Sequence, residues 1–298
     1  MSAPISDISA ISGIISGAGG QLGLAFNKGL SFEEGYNIFS FDRSQLDLAD
    51  QDKIHRTLAS LPQVKYWINC AAYTKVDDAE KNEKEATLYN ALAPGYLARA
   101  CWEAGVHLFH FSSDYVYDNH LRRPLKEDDP AEPKSVYART KLEGEQEIVY
   151  SGASYTIIRT SWVYGPGGHN FVNTMLRLGK SRDEVKIVSD QLGAPTFTHD
   201  IVDAVKDLIR IGEEEQLEKV KGIFNFANSG EVTWADFARA IFKYANIQCE
   251  VRNISTHEYG APAPRPEYSV LNCEKITELL SNPIPHWEDA LRRYLILV

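Results

Sequence analysis

A glycine-rich turn near the start of the chain limits its possible folds more than any other stretch does. The apolar run Ile11–Ser16 leads straight into Gly17-Ala18-Gly19-Gly20-Gln21-Leu22-Gly23, and a helix-compatible segment follows. Glycines at this spacing allow a tight turn, let a backbone approach a pyrophosphate, and permit close packing of helix on strand. The start of the helix then presents unpaired N–H groups and partial positive charge to an anion. Gly17, Gly19, Gly20, Gln21, Leu22 and Gly23 are the residues that would line such a site. The bare pattern also fits a βα turn with no ligand; its place directly after the first strand favours a dinucleotide.

The rest of the chain alternates in the same sense. Apolar runs at 37–41, 65–70, 106–111, 156–159 and 186–188 are separated by helix-like stretches such as 51–60, 86–103 and 136–150. This alternation implies an α/β fold with a doubly wound parallel sheet, right-handed crossovers and helices on both faces, a Rossmann-like arrangement. Beyond residue 164 glycine and proline crowd in, an amphipathic segment spans 171–178, and prolines return at 262, 264, 266, 283 and 285. We expect a Rossmann domain made of residues 1–164 with about 195–228. A smaller C-terminal substrate-binding lobe takes 165–194 and 229–298, interleaved with one main-domain helix at 200–211.

Composition excludes several classes of function. The formal net charge is −10, which argues against a nucleic-acid or anionic-membrane surface. No apolar run approaches the ~20 residues a membrane helix needs, and residues 1–10 lack the basic and apolar regions of an export signal. The expected location is the cytoplasm. Cys70, Cys101, Cys249 and Cys273 lie too far apart for a CxxC pattern, so reduced, mostly buried thiols are expected. There is no HExxH, and His107 and His110 sit three apart on one expected strand, facing opposite ways. No metal site is expected.

Two further groups of residues carry chemistry. Asp42 ends the second expected strand, where a carboxylate can hold the ribose 2′-hydroxyl of NAD; Arg43 beside it can instead clamp the 2′-phosphate of NADP. The pair leaves NADH and NADPH both open. Asp47 and Leu48 lie where the adenine would reach, although Asp47 or Asp50 could equally cap a helix. Tyr137 and Lys141 stand one helical turn apart, a spacing that chance alone would supply about once in this chain. Context gives it meaning, because 24 residues earlier an apolar strand ends in Ser112-Ser113-Asp114-Tyr115 at the carboxyl edge of the sheet. A ketone accepting hydride develops negative charge on oxygen, which must be held and protonated. Ser113 can hold it, Tyr137 can supply the proton, and the Lys141 ammonium can make the phenol easier to ionise.

These residues resemble the extended short-chain dehydrogenase/reductases, and more narrowly the dTDP-4-dehydrorhamnose reductases. Besides the glycine turn and the Tyr137/Lys141 pair, the similar segments are Asn69-Cys70-Ala71-Ala72-Tyr73-Thr74-Lys75-Val76-Asp77, Ser113-Asp114-Tyr115-Val116-Tyr117, Arg159-Thr160-Ser161-Trp162-Val163-Tyr164, Asn170-Phe171-Val172, Asp190-Gln191-Leu192-Gly193-Ala194-Pro195-Thr196 and Pro262-Ala263-Pro264-Arg265-Pro266. The resemblance implies reduction of a dTDP-linked 4-keto-6-deoxyhexose with NADPH or NADH. Cys70, Ala71 and Ala72 would line the cofactor, with Tyr137 and Lys141 touching it. Ser113 and Asp114 would hold the sugar, Trp162 would pack on it, and Asn170 and Arg265 would take the diphosphate. Trp162 could instead be core, and Arg265 could equally brace the proline-rich loop. Some members of the family are magnesium-linked dimers built on a glutamate just after the glycine turn. Here that stretch reads Leu24-Ala25-Phe26, so a monomer or weak homodimer without bridging metal is expected. Ser113 replaces a threonine common among relatives and keeps the hydroxyl. An epimerase or another ketoreductase of the superfamily shares these features, as does a non-catalytic subunit like the β subunit of methionine adenosyltransferase.

Overall fold

The computed structural model describes residues 11–31, 35–61, 63–117 and 120–298. The expectation about residues 1–10 lies outside this range. In chain order the main elements are β1 (Ile11–Ser16), α1 (Gln21–Ser31), β2 (Tyr36–Phe41), α2 (Gln51–Ser60), β3 (Val64–Asn69), α3 (Ala93–Ala104), β4 (His107–Ser113), α4 (Val136–Tyr150), β5 (Tyr155–Thr160), α5 (Phe171–Gly179), α6 (Thr198–Ile211), β6 (Gly222–Asn225), α7 (Trp234–Tyr244) and α8 (Trp287–Leu295). The six strands form one parallel sheet in the order β6-β5-β4-β3-β1-β2. Chain order reverses at β1, and ligands of open α/β sheets bind beyond the carboxyl ends of the strands at such a switch point.

Both faces of the sheet are buried, which is why its strands read as apolar runs rather than as alternation. Successive residues separate cleanly. Ile14, Trp67, Leu108 and Ile157 pack with Leu97, Cys101 and Ile148 of α3 and α4. Their neighbours Ile15, Ile68, Phe109 and Ile158 pack with Phe26 of α1 and with Ile201, Val205 and Leu208 of α6. Each such fully buried aliphatic side chain contributes about 1.5–3 kcal/mol. The same alternation sends His107 and His110 to opposite faces, as expected. A second core gathers Tyr164, Val172, Phe197, Phe237, Ile241 and Leu291 from α5, α7, α8 and the strands between them.

Two features differ from the sequence reading. The run at 186–188 belongs to a strand, Glu184–Val188, that pairs with Glu250–Ile254 outside the main sheet. The sixth sheet strand is β6, only four residues long and opened by Gly222 at φ 114°. In addition Ile276, together with the partly buried Leu279, Leu280 and Ile284, packs on the sheet side, although their positions fall in the span assigned to the smaller lobe. No helix among the described residues is long and apolar enough to cross a membrane. All four cysteines are free thiols.

Candidate active site

The turn after β1 is shaped by steric exclusion. Gly17 sits at φ 74°, and a Cβ there would lie 2.6 Å from the Ala71 nitrogen and 2.8 Å from the Cys70 carbonyl carbon. At Gly23 a Cβ would collide with the Gly17 carbonyl and Ala18 Cα. Gly19 and Gly20 are exposed, with no atom nearer than 3.4 Å to a Cβ added at either. An open cradle therefore lies above the start of α1, whose first turn carries no acidic residue. These residues fit a nicotinamide dinucleotide, whose pyrophosphate needs close backbone approach and free N–H groups. Cys70, Ala71 and Ala72 follow β3 beside this turn, Cys70 N donating to Ser16 O at 3.0 Å. Burial pushes the Cys70 thiol far up, so it packs rather than reacts.

At the adenosine end, Asp42 Oδ1 accepts from Ser44 N at 2.8 Å, Ser44 Oγ at 2.6 Å and Gln45 N at 3.1 Å. The Ser44 hydroxyl leads in holding this carboxyl below its usual range. Arg43 lies over the ring of Tyr89, 4.1 Å from its centroid, and donates to the Tyr89 hydroxyl at 2.6 Å. Tyr89 in turn donates to Asp47 Oδ2 at 3.1 Å. Nothing in the sequence spacing pointed to Tyr89. Asp50, not Asp47, caps α2, and Leu48 is buried with Ile14 and Ile54, so its side chain serves the core.

Strand β4 and helix α4 supply the reactive groups. Ser135 caps α4 by accepting from Ala138 N at 3.1 Å, and Val136 N donates to Glu80 Oε1 at 2.8 Å. Gly144 packs so tightly against the preceding helix that a Cβ there would collide with the Asn90 carbonyl. That carbonyl belongs to a π-helical turn, Leu88–Leu92, leading into α3. The docking brings Tyr137 beside Ser113 and edge-on to Tyr115, its ring centroid 6.0 Å from that of Tyr115. Burial raises the Tyr137 phenol to about 12, against a lowering by the nearby Ser113 hydroxyl. The expected lowering by Lys141 is absent from this geometry. Lys141 Nζ donates instead to the Phe111 carbonyl at 2.6 Å and lies 3.4 Å from His110 Nε2. Asp114 accepts from Ser113 Oγ on Oδ1 at 3.1 Å, while its buried Oδ2 has no partner among the described residues. Burial raises this carboxyl to about 7, opposed by the nearby Ser269 and Ser113 hydroxyls.

The remaining expected ligands are distributed around this centre. Trp162 adopts φ 45°, a conformation costly for a bulky residue and typical of functional sites. It stacks on Trp234 with centroids 3.5 Å apart and planes at 10°. A Cβ on Gly193 would lie 2.7 Å from its ring. Arg265 grips Asp77 through two bonds of 3.0 and 2.8 Å and donates to the Ala263 carbonyl at 3.0 Å. It therefore braces the proline-rich loop, one of the two roles left open by the sequence. Asn170 caps α5, its Oδ1 accepting from Asn173 N at 2.9 Å, and its amide reaches Gln21 at 3.4 Å. Asn170 thus meets the glycine turn rather than Arg265. Gln21 itself donates to the Val163 carbonyl at 3.0 Å, tying the turn to the strand after Trp162.

Comparison with known proteins places this geometry. The family model described as the RmlD substrate binding domain matches residues 13–297. The spore coat polysaccharide biosynthesis protein SpsK of Bacillus subtilis is 39% identical, covering 95% of this chain and 96% of its own length. The dTDP-4-dehydrorhamnose reductase of Sinorhizobium fredii is 38% identical, with 94% and 95% covered. The crystal structure of dTDP-4-dehydrorhamnose reductase from Bacillus anthracis, in complex with NADP, superposes with a TM-score of 0.91 at 35% identity, over 97% of this chain and 100% of that one.

Proposed function

The chain belongs to the RmlD substrate-binding-domain family, and from that premise we infer that it is an NAD(P)H-dependent reductase of a dTDP-linked 4-keto-6-deoxyhexose. It converts dTDP-4-dehydrorhamnose to dTDP-L-rhamnose, the closing step of dTDP-rhamnose synthesis. The observation that carries this reading is the Tyr137 phenol brought beside Ser113 and edge-on to Tyr115 at the carboxyl edge of the sheet, in a chain that also presents an open glycine cradle. Relatives named for this reaction support it, as does the NADP in the B. anthracis structure.

When bound, the cofactor supplies the hydride. The chain's own groups do the rest. Ser113 holds the carbonyl oxygen, and Tyr137, protonated at neutral pH, delivers a proton to it. Lys141, one turn along α4, would touch the bound cofactor. Gly17, Gly19, Gly20, Gln21, Leu22 and Gly23 cradle the pyrophosphate, Cys70, Ala71 and Ala72 line the cofactor, and Asp42, Arg43 and Asp47 border the adenosine, with Leu48 beside them through its backbone. Asp114 and Trp162 shape the sugar pocket, Asn170 serves the nucleotide from beside Gln21, and Arg265 serves it through the proline-rich loop that it braces against Asp77. Residues 1–164 with about 195–228 make the cofactor domain, joined by the segment around Ile276 that packs on the sheet, and the rest of 165–194 and 229–298 makes the substrate lobe. Sugar nucleotides and reduced nicotinamides are cytoplasmic metabolites, which puts the enzyme there, as a monomer or weak homodimer with no nucleic-acid or membrane partner.

The test is to incubate the protein with dTDP-4-keto-6-deoxyglucose, a 3,5-epimerase and NADPH or NADH. Cofactor absorbance should fall in step with dTDP-rhamnose formed. Binding of cofactor without its consumption would favour a regulatory subunit, and a sugar product at unchanged cofactor an epimerase.

A further inference from the structure

Buried side chains on three neighbouring strands form a hydrogen-bonded line that ends at Lys141. Trp67 Nε1 donates to Ser16 Oγ at 3.0 Å, and Ser16 Oγ donates to Asn69 Oδ1 at 2.9 Å. The Ala71 N–H donates to the same Oδ1 at 3.1 Å, so two donors fix which way the amide points. Asn69 Nδ2 therefore donates to His110 Nδ1, 3.1 Å away. A ring nitrogen that accepts carries no proton, and a neutral imidazole then has its proton on the other nitrogen. The network assigns the tautomer as Nε2–H. Burial, with the Lys141 charge second, holds His110 well below its ordinary range and hence neutral.

An N–H aimed at an ammonium gives it nothing, whereas the same N–H donates to the lone pair of a neutral amine. We propose that the Ser16–Asn69–His110 line holds an Nε2–H donor against Lys141 and biases it toward the uncharged form, making His110 a positioning residue that sets the charge of the Tyr137–Lys141 pair. The other groups around the lysine are accounted for. Glu145, one turn further along α4, favours the ammonium, but its carboxylate is shared with the buried Arg159 guanidinium at 2.6 Å. From β4 come His110 and the Phe111 carbonyl, and Asp114 acts on Tyr137. β1 and β3 contribute neutral Ser16 and Asn69. Lys141 is lowered to about 8, burial being the larger cause, and the histidine N–H acts in the same direction.

Only the kinetic arm of the test rests on the proposed activity. In ligand-free protein with ¹³C-labelled lysine, the Lys141 Cε resonance, assigned with Lys141→Met, follows the charge of the amine directly. Spectra of ¹⁵N-histidine protein, assigned with His110→Gln, report the tautomer. The expected result is an Nε2–H His110 that stays neutral well below its ordinary titration range. In His110→Gln the amide can turn its oxygen to the ammonium, and the Lys141 midpoint should rise by about one pH unit. The basic limb of the kcat/KM profile for reduction should rise with it. An Nδ1–H tautomer, a His110 titrating near its ordinary value, or an unchanged Lys141 midpoint in folded His110→Gln overturns the proposal. If that variant does not fold, Asn69→Ala releases the ring instead. A single fixed tautomer and an unmoved Lys141 midpoint there would equally overturn it. If no ketosugar is reduced, the two spectroscopic arms still decide the question.

Discussion

Burial makes Tyr137 a reluctant acid, and a phenol raised to about 12 is fully protonated at the pH where a reductase must give a proton away. Tyr137→Phe keeps the ring in its place against Tyr115 and removes the transferable proton. Turnover should fall roughly 10²-fold or more with cofactor affinity unchanged, as read by single-turnover rates and fluorescence titration. Asp114 presents the opposite case, a carboxyl raised to about 7 by burial. A carboxyl whose folded pKa exceeds its unfolded one stabilises the fold at low pH and loses that contribution as pH climbs through the folded value. Between pH ~6 and ~8 the protein should lose about 1.4 kcal/mol through this group. Asp114→Asn should abolish that loss, which urea unfolding at the two pH values can measure. A pH-independent difference between variant and wild type would show that the carboxyl does not titrate there.

At the scale of elements, the seat of the site is the contact between α4 and the π-helical turn before α3. Gly144→Ala drives a methyl group into the Asn90 carbonyl, and overpacking of this kind costs about 1–3 kcal/mol. Thermal denaturation should show a drop of several degrees, with loss of activity beyond what stability explains, because the same turn sets the height of Tyr137. The loop braced by Arg265 and Asp77 makes a second element. Arg265→Ala should raise KM for the sugar nucleotide roughly tenfold with little change in kcat, the mark of uniform binding energy, and Asp77→Asn should mimic it. Steady-state kinetics with cofactor affinity as control separates this from a general loss of structure. The elements themselves were legible to different depths. The helices at 51–60 and 136–150 fall where the sequence reading puts them, and each carries its own cap, Asp50 and Ser135. β6 was missed because four residues after a left-handed glycine hold too little pattern to recognise. The Ser113, Tyr137 and Lys141 trio could be read because its members sit at fixed spacing on one strand end and one helix face. Asn69 and His110 come together only through strand register, and the contact of Arg43 with Tyr89 only through packing. Linear spacing encodes neither.

Considered whole, the molecule is stitched rather than divided. After β5 the chain leaves the sheet for the Tyr164–Leu291 core, returns with α6 and β6, leaves again with α7, comes back at Ile276, and ends in α8. Each core is thus assembled from segments far apart in sequence. During synthesis the first 164 residues emerge long before α6, β6 and Ile276, which cover one flank and one face of the sheet they belong to. A nascent chain stopped there would expose Phe109, Phe111 and Ile158, now covered by α6, and the unpaired edge of β5. A fragment of residues 11–164 should therefore be retained by chaperones or precipitate, and should bind NADPH only when 165–298 is supplied in trans. Recovery of a soluble, cofactor-binding 11–164 fragment would contradict this. On the proposed division of the chain, its late return to the sheet means that the cofactor site cannot mature before the part that chooses the sugar has been made. Every finished molecule able to take up a reduced nicotinamide then already has the means to spend it on the right ketone.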